Sequence, residues 1–162
     1  MRLLRKFLTL APVERRLLLK AACLLAVVQL GLGRVPFTML RRLVTRDGRD
    51  RDGLAGGHRG FADLVVWAVT AASRRVPGRM TCLSRALTVQ ALLAGGGCPS
   101  RLHVGVIRGK QGEVEGHAWV ECDGRILIGG SASEIGQFTP LAVFDVETAL
   151  RLQTAATLQE GR

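Results

Sequence analysis

The spacing of apolar residues changes from helical to alternating in the glycine-rich segment of residues 95–100. Before that segment apolar residues recur at helical spacing, most clearly over residues 82–94, which follow the helix-breaking pair Pro77-Gly78. After it, residues 101–109 alternate apolar and polar side chains, as a half-buried strand does. Helices followed by strands predict an α+β fold, with a small antiparallel sheet packed on the helices.

Two further strand signals support this fold class. Asp123 and Gly124 form a two-residue turn signal between apolar runs, so residues 116–130 are predicted to form a hairpin. Residues 137–145 indicate another short strand, and the tail from Val146 is interpreted as a helix.

The first 45 residues are predicted to be helical, with Pro12 suited to a first turn. Lys20 and Gln29 interrupt the apolar run from Leu17 to Leu32, which falls short of the roughly 20 uninterrupted residues of a membrane span. Two interpretations stay open for this segment. It is either a helix packed on the domain or a peripheral membrane contact, which its flanking arginines would favour.

The chain is therefore divided into a helical N-terminal extension, a flexible glycine-rich linker, and a domain that runs to the C-terminus. Their predicted bounds are residues 1–45, 46–60 and 61–162. The domain opens on a helical stripe that begins at Phe61, and Trp67 on that helix is assigned to the core.

Charge restricts the partners of the chain. It carries 23 lysines and arginines against 13 acidic residues, a net charge of +10 that favours an acidic peptide or an anionic membrane surface. The chain has no tyrosine, and its few other aromatic residues are scattered, so it offers no platform for stacking bases. No DNA-binding motif is present either, and we expect no nucleic-acid partner.

Four cysteines occur without a CxxC pair or a zinc-type spacing, so we expect no metal and no cofactor. Unevenly placed thiols and the lack of a visible signal peptide favour a reducing cytoplasm. Cys23, Cys98 and Cys122 are interpreted as structural. Cys82 differs, because it lies in the first turn of a predicted helix, where the positive end of the helix favours a thiolate.

A thiolate nucleophile needs a base, and three histidines are available. His58 falls in the linker, and His103 is expected on a solvent-accessible strand face. His117 lies on a strand beside Trp119 and is the better candidate. On spacing alone, Cys82 and His117 make a weak signal.

A resemblance strengthens that signal. The segments "VPGRMTCLSRALTVQALLAGGGCPSRLHVGVIRG", "GHAWVECDGRILIGG" and "FTPL" resemble the transglutaminase-like leader peptidases of lasso-peptide biosynthesis, in the form separate from the leader-recognition protein. The N-terminal helical stretch is also similar to that family. The resemblance implies a transglutaminase-like, papain-like core, with Cys82 as nucleophile and His117 as general base. The backbone N–H of Cys82 is a candidate oxyanion donor.

The same resemblance implies the partners. They are a ribosomal precursor peptide with its leader, a separate leader-recognition protein, and an ATP-dependent cyclase that closes the ring. The expected location is cytoplasmic, with membrane association left open.

One departure concerns the carboxylate that orients the histidine in this family. The hairpin places Gly129, Gly130 and Ser131 opposite His117, and none of them is acidic. Glu134 is the first choice for the third catalytic residue, with Ser131 or a backbone carbonyl as alternatives.

Two other functions stay open. The same cysteine and histidine support acyl transfer to an amine, as in transglutaminases. The chain is otherwise a non-catalytic scaffold of a maturation complex that has lost the carboxylate.

Overall fold

The structure, a computed structural model, describes residues 9–45, 57–78, 80–109 and 112–145. The helices are α1 (Pro12–Leu32), α2 (Phe37–Thr45), α3 (Gly57–Ser73), α4 (Cys82–Gly95) and α5 (Ala132–Ile135). The strands are β1 (Arg101–Arg108), β2 (Val114–Cys122), β3 (Arg125–Ile128) and β4 (Thr139–Asp145).

The four strands form one antiparallel sheet in the order β3-β2-β1-β4. The predicted α+β class is confirmed. The hairpin between β2 and β3 turns at Asp123 (φ 51°) and Gly124 (φ 74°), and two successive positive φ values are typical of a type I′ turn. The helix expected from Val146 onward lies outside the described residues.

Helices α1, α3 and α4 share one hydrophobic core with one face of the sheet. The register pairs Leu102 of β1 with Val120 of β2, and paired residues point to the same face of a sheet. Both side chains are fully buried, as are Leu87 and Val89 of α4. This aliphatic packing fixes α4 against the strands, and with it the position of Cys82.

The N-terminal helix is part of this core. Helix α1 packs on α3 and α4 through four buried side chains at helical spacing. These are Leu17, Ala21, Leu25 and Val28. One face of this segment therefore packs on the domain, as the first interpretation predicts.

Helix α2 contacts the edge strand β4 through Phe37 and Arg41. The rings of Phe37 and Phe144 lie 5.2 Å apart between centroids, and the guanidinium of Arg41 lies 5.0 Å from the centroid of Phe144. Arg41 Nη2 donates to the carbonyl of Asp145 at 3.0 Å. From α4, Gln90 Nε2 donates to the carbonyl of Phe144 at 2.6 Å.

Several residues differ from the sequence-based expectations. Residues 57–60, expected in the linker, form the first turn of α3, and His58 is an exposed residue of that helix. Trp67, assigned to the core, is 39% exposed because α3 buries its small side chains instead. Cys23, interpreted as structural, is exposed on the outer side of α1.

No helix in the described ranges is both long and apolar enough to cross a membrane.

Candidate active site

Cys82 is the first residue of α4, as the sequence predicts. Thr81 caps the helix, because its Oγ1 accepts a hydrogen bond from the backbone N–H of Ser84 at 3.1 Å. Ser84 Oγ in turn accepts from the backbone N–H of Thr81 at 3.1 Å. The cap thus occupies the Ser84 amide, and the amide of Cys82 lies in the first turn, where no intrahelical acceptor exists.

The sulfur of Cys82 lies next to strand β2. Its S–H donates to the carbonyl of Gly116 at 3.9 Å, and His117 is the next residue along the strand. The structure therefore brings the predicted nucleophile to the residue that precedes the predicted base. Among the described contacts, the hydrogen bond of the sulfur goes to this carbonyl and not to the His117 ring.

The four thiols differ in setting. Cys98 and Cys122 are buried, and burial raises the pKa of both thiols. Such thiols are poor nucleophiles at neutral pH, which supports their structural interpretation. Cys82 is only half-buried and combines access with a helix N-terminus.

One nitrogen of the His117 ring already has a partner. Nε2 makes a hydrogen bond to the carbonyl oxygen of Gly129. Because a carbonyl only accepts, Nε2 carries the proton and donates, which leaves Nδ1 of the neutral ring as the acceptor. A backbone group thus stands where the family pattern has a carboxylate.

The glycine at position 129 is required for this contact. Gly129 has φ of +115°, a conformation that side chains rarely adopt. A Cβ there would lie 2.8 Å from the Cα of Trp119 and 2.9 Å from the carbonyl oxygen of Ala118. Only a residue without a side chain brings its backbone this close to β2.

Glu134 forms hydrogen bonds with Ser131, and its role as the third catalytic residue stays a prediction. Its Oε2 accepts from the backbone N–H of Ser131 at 2.7 Å and from the Ser131 hydroxyl at 2.8 Å, so it closes the cap of α5. These hydrogen bonds, backbone first, lower the pKa of the Glu134 carboxyl, and the charge of protonated His117 lowers it further. Glu134 therefore caps α5, while the Gly129 carbonyl holds the hydrogen bond of the His117 ring.

Aromatic rings surround His117 on the sheet face opposite α4. Phe138 stacks on the His117 ring at 4.9 Å between centroids, and Trp119 lies at 6.3 Å. His103 stacks on Trp119 at 5.2 Å with an interplanar angle of 5°. We call His103, Trp119, His117 and Phe138 the ring row.

His103 does not face solvent as expected. Only 16% of its side chain is exposed, and its Nε2 lies 3.5 Å from a carboxylate oxygen of Glu121. Gly105, which pairs with His117, leaves room for the indole, because a Cβ there would lie 3.1 Å from the Trp119 ring.

Sequence reasoning missed Phe138 and the short helix α5. The capping pattern Ser131-x-x-Glu134 signals that helix, and α5 then places Phe138 at the His117 ring.

In the described part of the chain, no three histidine, cysteine or acidic side chains come together as metal ligands.

Comparison with protein-family models gave a match to the transglutaminase-like superfamily over residues 20–143. That range includes Cys82 and His117 and covers more than half of the chain. Searches of curated proteins and of solved structures found no match. The chain therefore belongs to the transglutaminase-like superfamily, whose members are generally cysteine proteases or acyl transferases.

Proposed function

We propose that this protein is a cysteine peptidase that removes the leader from a ribosomally made lasso-peptide precursor. One observation carries the catalytic part. A cysteine at a helix N-terminus reaches the residue before a histidine whose far nitrogen is held by the backbone. The leader-peptide substrate rests on the sequence resemblance described above.

In the proposed reaction Nδ1 of His117 takes the thiol proton of Cys82. The thiolate then attacks the scissile carbonyl and forms a tetrahedral oxyanion. The first-turn amide of Cys82, which has no intrahelical acceptor, would donate to that oxygen. This assignment requires the Cys82 sulfur to leave the Gly116 carbonyl and meet the His117 ring. Catalytic contacts of this kind often tighten only when substrate is bound.

The remaining steps return the protein to its starting state. Protonated His117 gives its proton to the leaving amine as the C–N bond breaks, and an acyl thioester on Cys82 remains. His117 then takes a proton from water, whose oxygen attacks the thioester. Collapse of the second tetrahedral intermediate releases the carboxylate product and restores the thiol, so the net change is hydrolysis of one peptide bond.

The hydrogen bond at Nε2 would support the base without a triad carboxylate. It fixes the tautomer in which Nδ1 is the acceptor, and it favours one ring orientation. Stabilisation of the imidazolium is weaker from a neutral carbonyl than from a carboxylate. Glu134 adds negative charge nearby, and the charge of protonated His117 contributes to the lowered pKa of the Glu134 carboxyl.

The test uses a lasso-peptide precursor and a separate leader-recognition protein, followed by mass spectrometry. Wild type is expected to release a leader fragment, and Cys82→Ala and His117→Ala are expected to lose at least about 10³-fold in rate. Cys23→Ala is the matched control, because Cys23 is exposed on the outer side of α1, and its rate should match wild type. An intact precursor with the wild-type protein would contradict the proposal and favour the scaffold.

Acyl transfer is separated from hydrolysis in the same assay. With a primary amine added, a transferase attaches the amine to the acyl product and changes its mass, whereas a peptidase releases the free acid. Predominance of the amine adduct over the acid at modest amine concentration would replace the peptidase assignment by that of an acyl transferase.

A further inference from the structure

Helix α1 has two apolar faces. One face packs into the core through the four buried side chains described above. On the opposite side lie Leu19, Cys23, Val27 and Leu30, which we call the α1 stripe. Their spacing of four, four and three residues aligns them along the helix over about 17 Å. Leu19, Val27 and Leu30 are 55%, 53% and 60% exposed.

Basic residues continue this line at both ends. Arg16 lies one turn before Leu19, and Arg34 lies one turn after Leu30. Between residues 16 and 34 every exposed position is apolar, glycine, cysteine or basic, and none is acidic or an uncharged amide or hydroxyl. The exposed positions are Arg16, Leu19, Lys20, Cys23, Val27, Leu30, Gly33 and Arg34.

The described N-terminal segment, residues 9–45, is positively charged as a whole. Residues 9–45 contain six basic residues and one acidic residue. The acidic residue, Glu14, accepts a hydrogen bond from the backbone N–H of Ala11 at 2.9 Å and lies before the stripe. An anionic surface therefore complements both ends of the stripe without meeting a carboxylate along it.

A helix with apolar side chains on opposite faces, such as α1, normally has both faces packed against protein or lipid. The α1 stripe is a narrow convex line without an aromatic residue, whereas protein interfaces of standard size bury about 800 Å² per partner and favour aromatic anchors. A lipid surface requires neither shape complementarity nor directional hydrogen bonds. Apolar residues flanked by arginine and lysine are the composition of helices that lie in the membrane interface.

We propose that α1 lies along the surface of an anionic membrane, with the α1 stripe inserted at the level of the headgroups and Arg16 and Arg34 contacting lipid phosphates. The opposite face of α1 holds the domain, so the helix attaches the folded protein to the membrane and does not cross it. The proposal is independent of the reaction assigned to Cys82.

The test is flotation of the full chain with vesicles of phosphatidylcholine, with and without one third phosphatidylglycerol. Wild type should bind the anionic vesicles at least about tenfold better than the neutral ones, with loss of binding in high salt. Val27→Ser/Leu30→Ser should weaken binding about tenfold or more. Arg16→Glu/Arg34→Glu should abolish it.

Two control variants match these changes in chemistry and exposure. Leu141→Ser/Val143→Ser removes two exposed apolar side chains from β4, and Arg74→Glu/Arg75→Glu reverses two exposed charges after α3. Both should bind like wild type, and circular dichroism should show that all four variants are folded.

Other results overturn the proposal. Binding that is lost on charge reversal but unchanged in Val27→Ser/Leu30→Ser would mean electrostatic adsorption without insertion. Equal binding to neutral and anionic vesicles would remove the role of the arginines. Absence of binding to either vesicle would leave the α1 stripe to an acidic protein partner.

Discussion

The two faces of the sheet differ in what covers them. The face towards α4 is covered by helices and packed with aliphatic side chains such as Leu102 and Val120. The other face carries the ring row and is crossed by the short segment that includes Gly129 and α5. The aliphatic face holds the fold together, whereas the ring row sets the position of one imidazole. Substitutions on the two faces should therefore separate stability from activity.

The largest effect on stability is expected on the aliphatic face. Leu87 of α4 is fully buried between helices and sheet, so Leu87→Ala leaves a cavity and should lower the free energy of unfolding by about 3 kcal/mol. Urea denaturation measures this change. Peptidase activity per folded molecule should stay within a few-fold of wild type, and a large loss in the folded fraction would show that the two faces are coupled.

The next largest effect is expected at Gly129, whose carbonyl holds the His117 ring of the ring row. Gly129→Ala adds a Cβ against Trp119 at a strained φ, so the carbonyl should move away from His117. We expect kcat to fall about 10- to 100-fold, equivalent to about 1.4–2.7 kcal/mol.

Gly33→Ala is the control for that change, because Gly33 has φ of −91° and a Cβ there meets no atom within 4 Å. It should match wild type. Unchanged kcat in Gly129→Ala would remove the Gly129 carbonyl from the mechanism.

A smaller effect is expected at the far end of the ring row. His103→Ala removes the ring stacked on Trp119 and should reduce kcat a few-fold, in keeping with the roughly 1 kcal/mol of an aromatic pair. His103→Phe keeps a planar ring and should restore most of the activity. In a Trp67→Phe background, the fluorescence of Trp119 should change in His103→Ala more than in His103→Phe. Equal kcat in the two variants would show that the stack does not position His117.

The smallest effect concerns the cap of α5. Ser131→Ala removes the hydroxyl donor to Glu134, so the pKa of Glu134 should rise towards its ordinary value. A carboxyl with a lowered folded pKa stabilises the protein above its unfolded pKa of about 4.3, and this contribution is lost as pH falls through the folded value. The acid edge of stability should therefore move to higher pH in Ser131→Ala. Carboxyl NMR titration measures the shift directly, and an unchanged Glu134 pKa would contradict it.

Most of the elements and the β2–β3 hairpin were predictable from local patterns, whereas α5 and the pairing of β1 with β2 and β4 were not. The change of hydrophobic period indicated the α+β order, and Asp123-Gly124 located the hairpin and so placed residue 129 near His117. Contacts made by tertiary packing were not predictable. Trp67 is exposed because small residues of α3 face the core, and His103 is covered because Gly105 leaves room for Trp119. Single-sequence periodicity identifies a face but not what lies against it.

The acceptor for His117 belongs to the main chain, and this has a consequence for how the proposed site responds to acid and to mutation. A peptide carbonyl does not take up a proton between pH 2 and pH 12, unlike a triad aspartate, so acid inactivation would report the cysteine–histidine pair rather than its third partner. No replacement of a side chain deletes an amide oxygen. On the acceptor side, loss of this contact requires a change in the path of the backbone, so the contact depends on the shape of the Gly129 turn and not on the identity of an acidic residue.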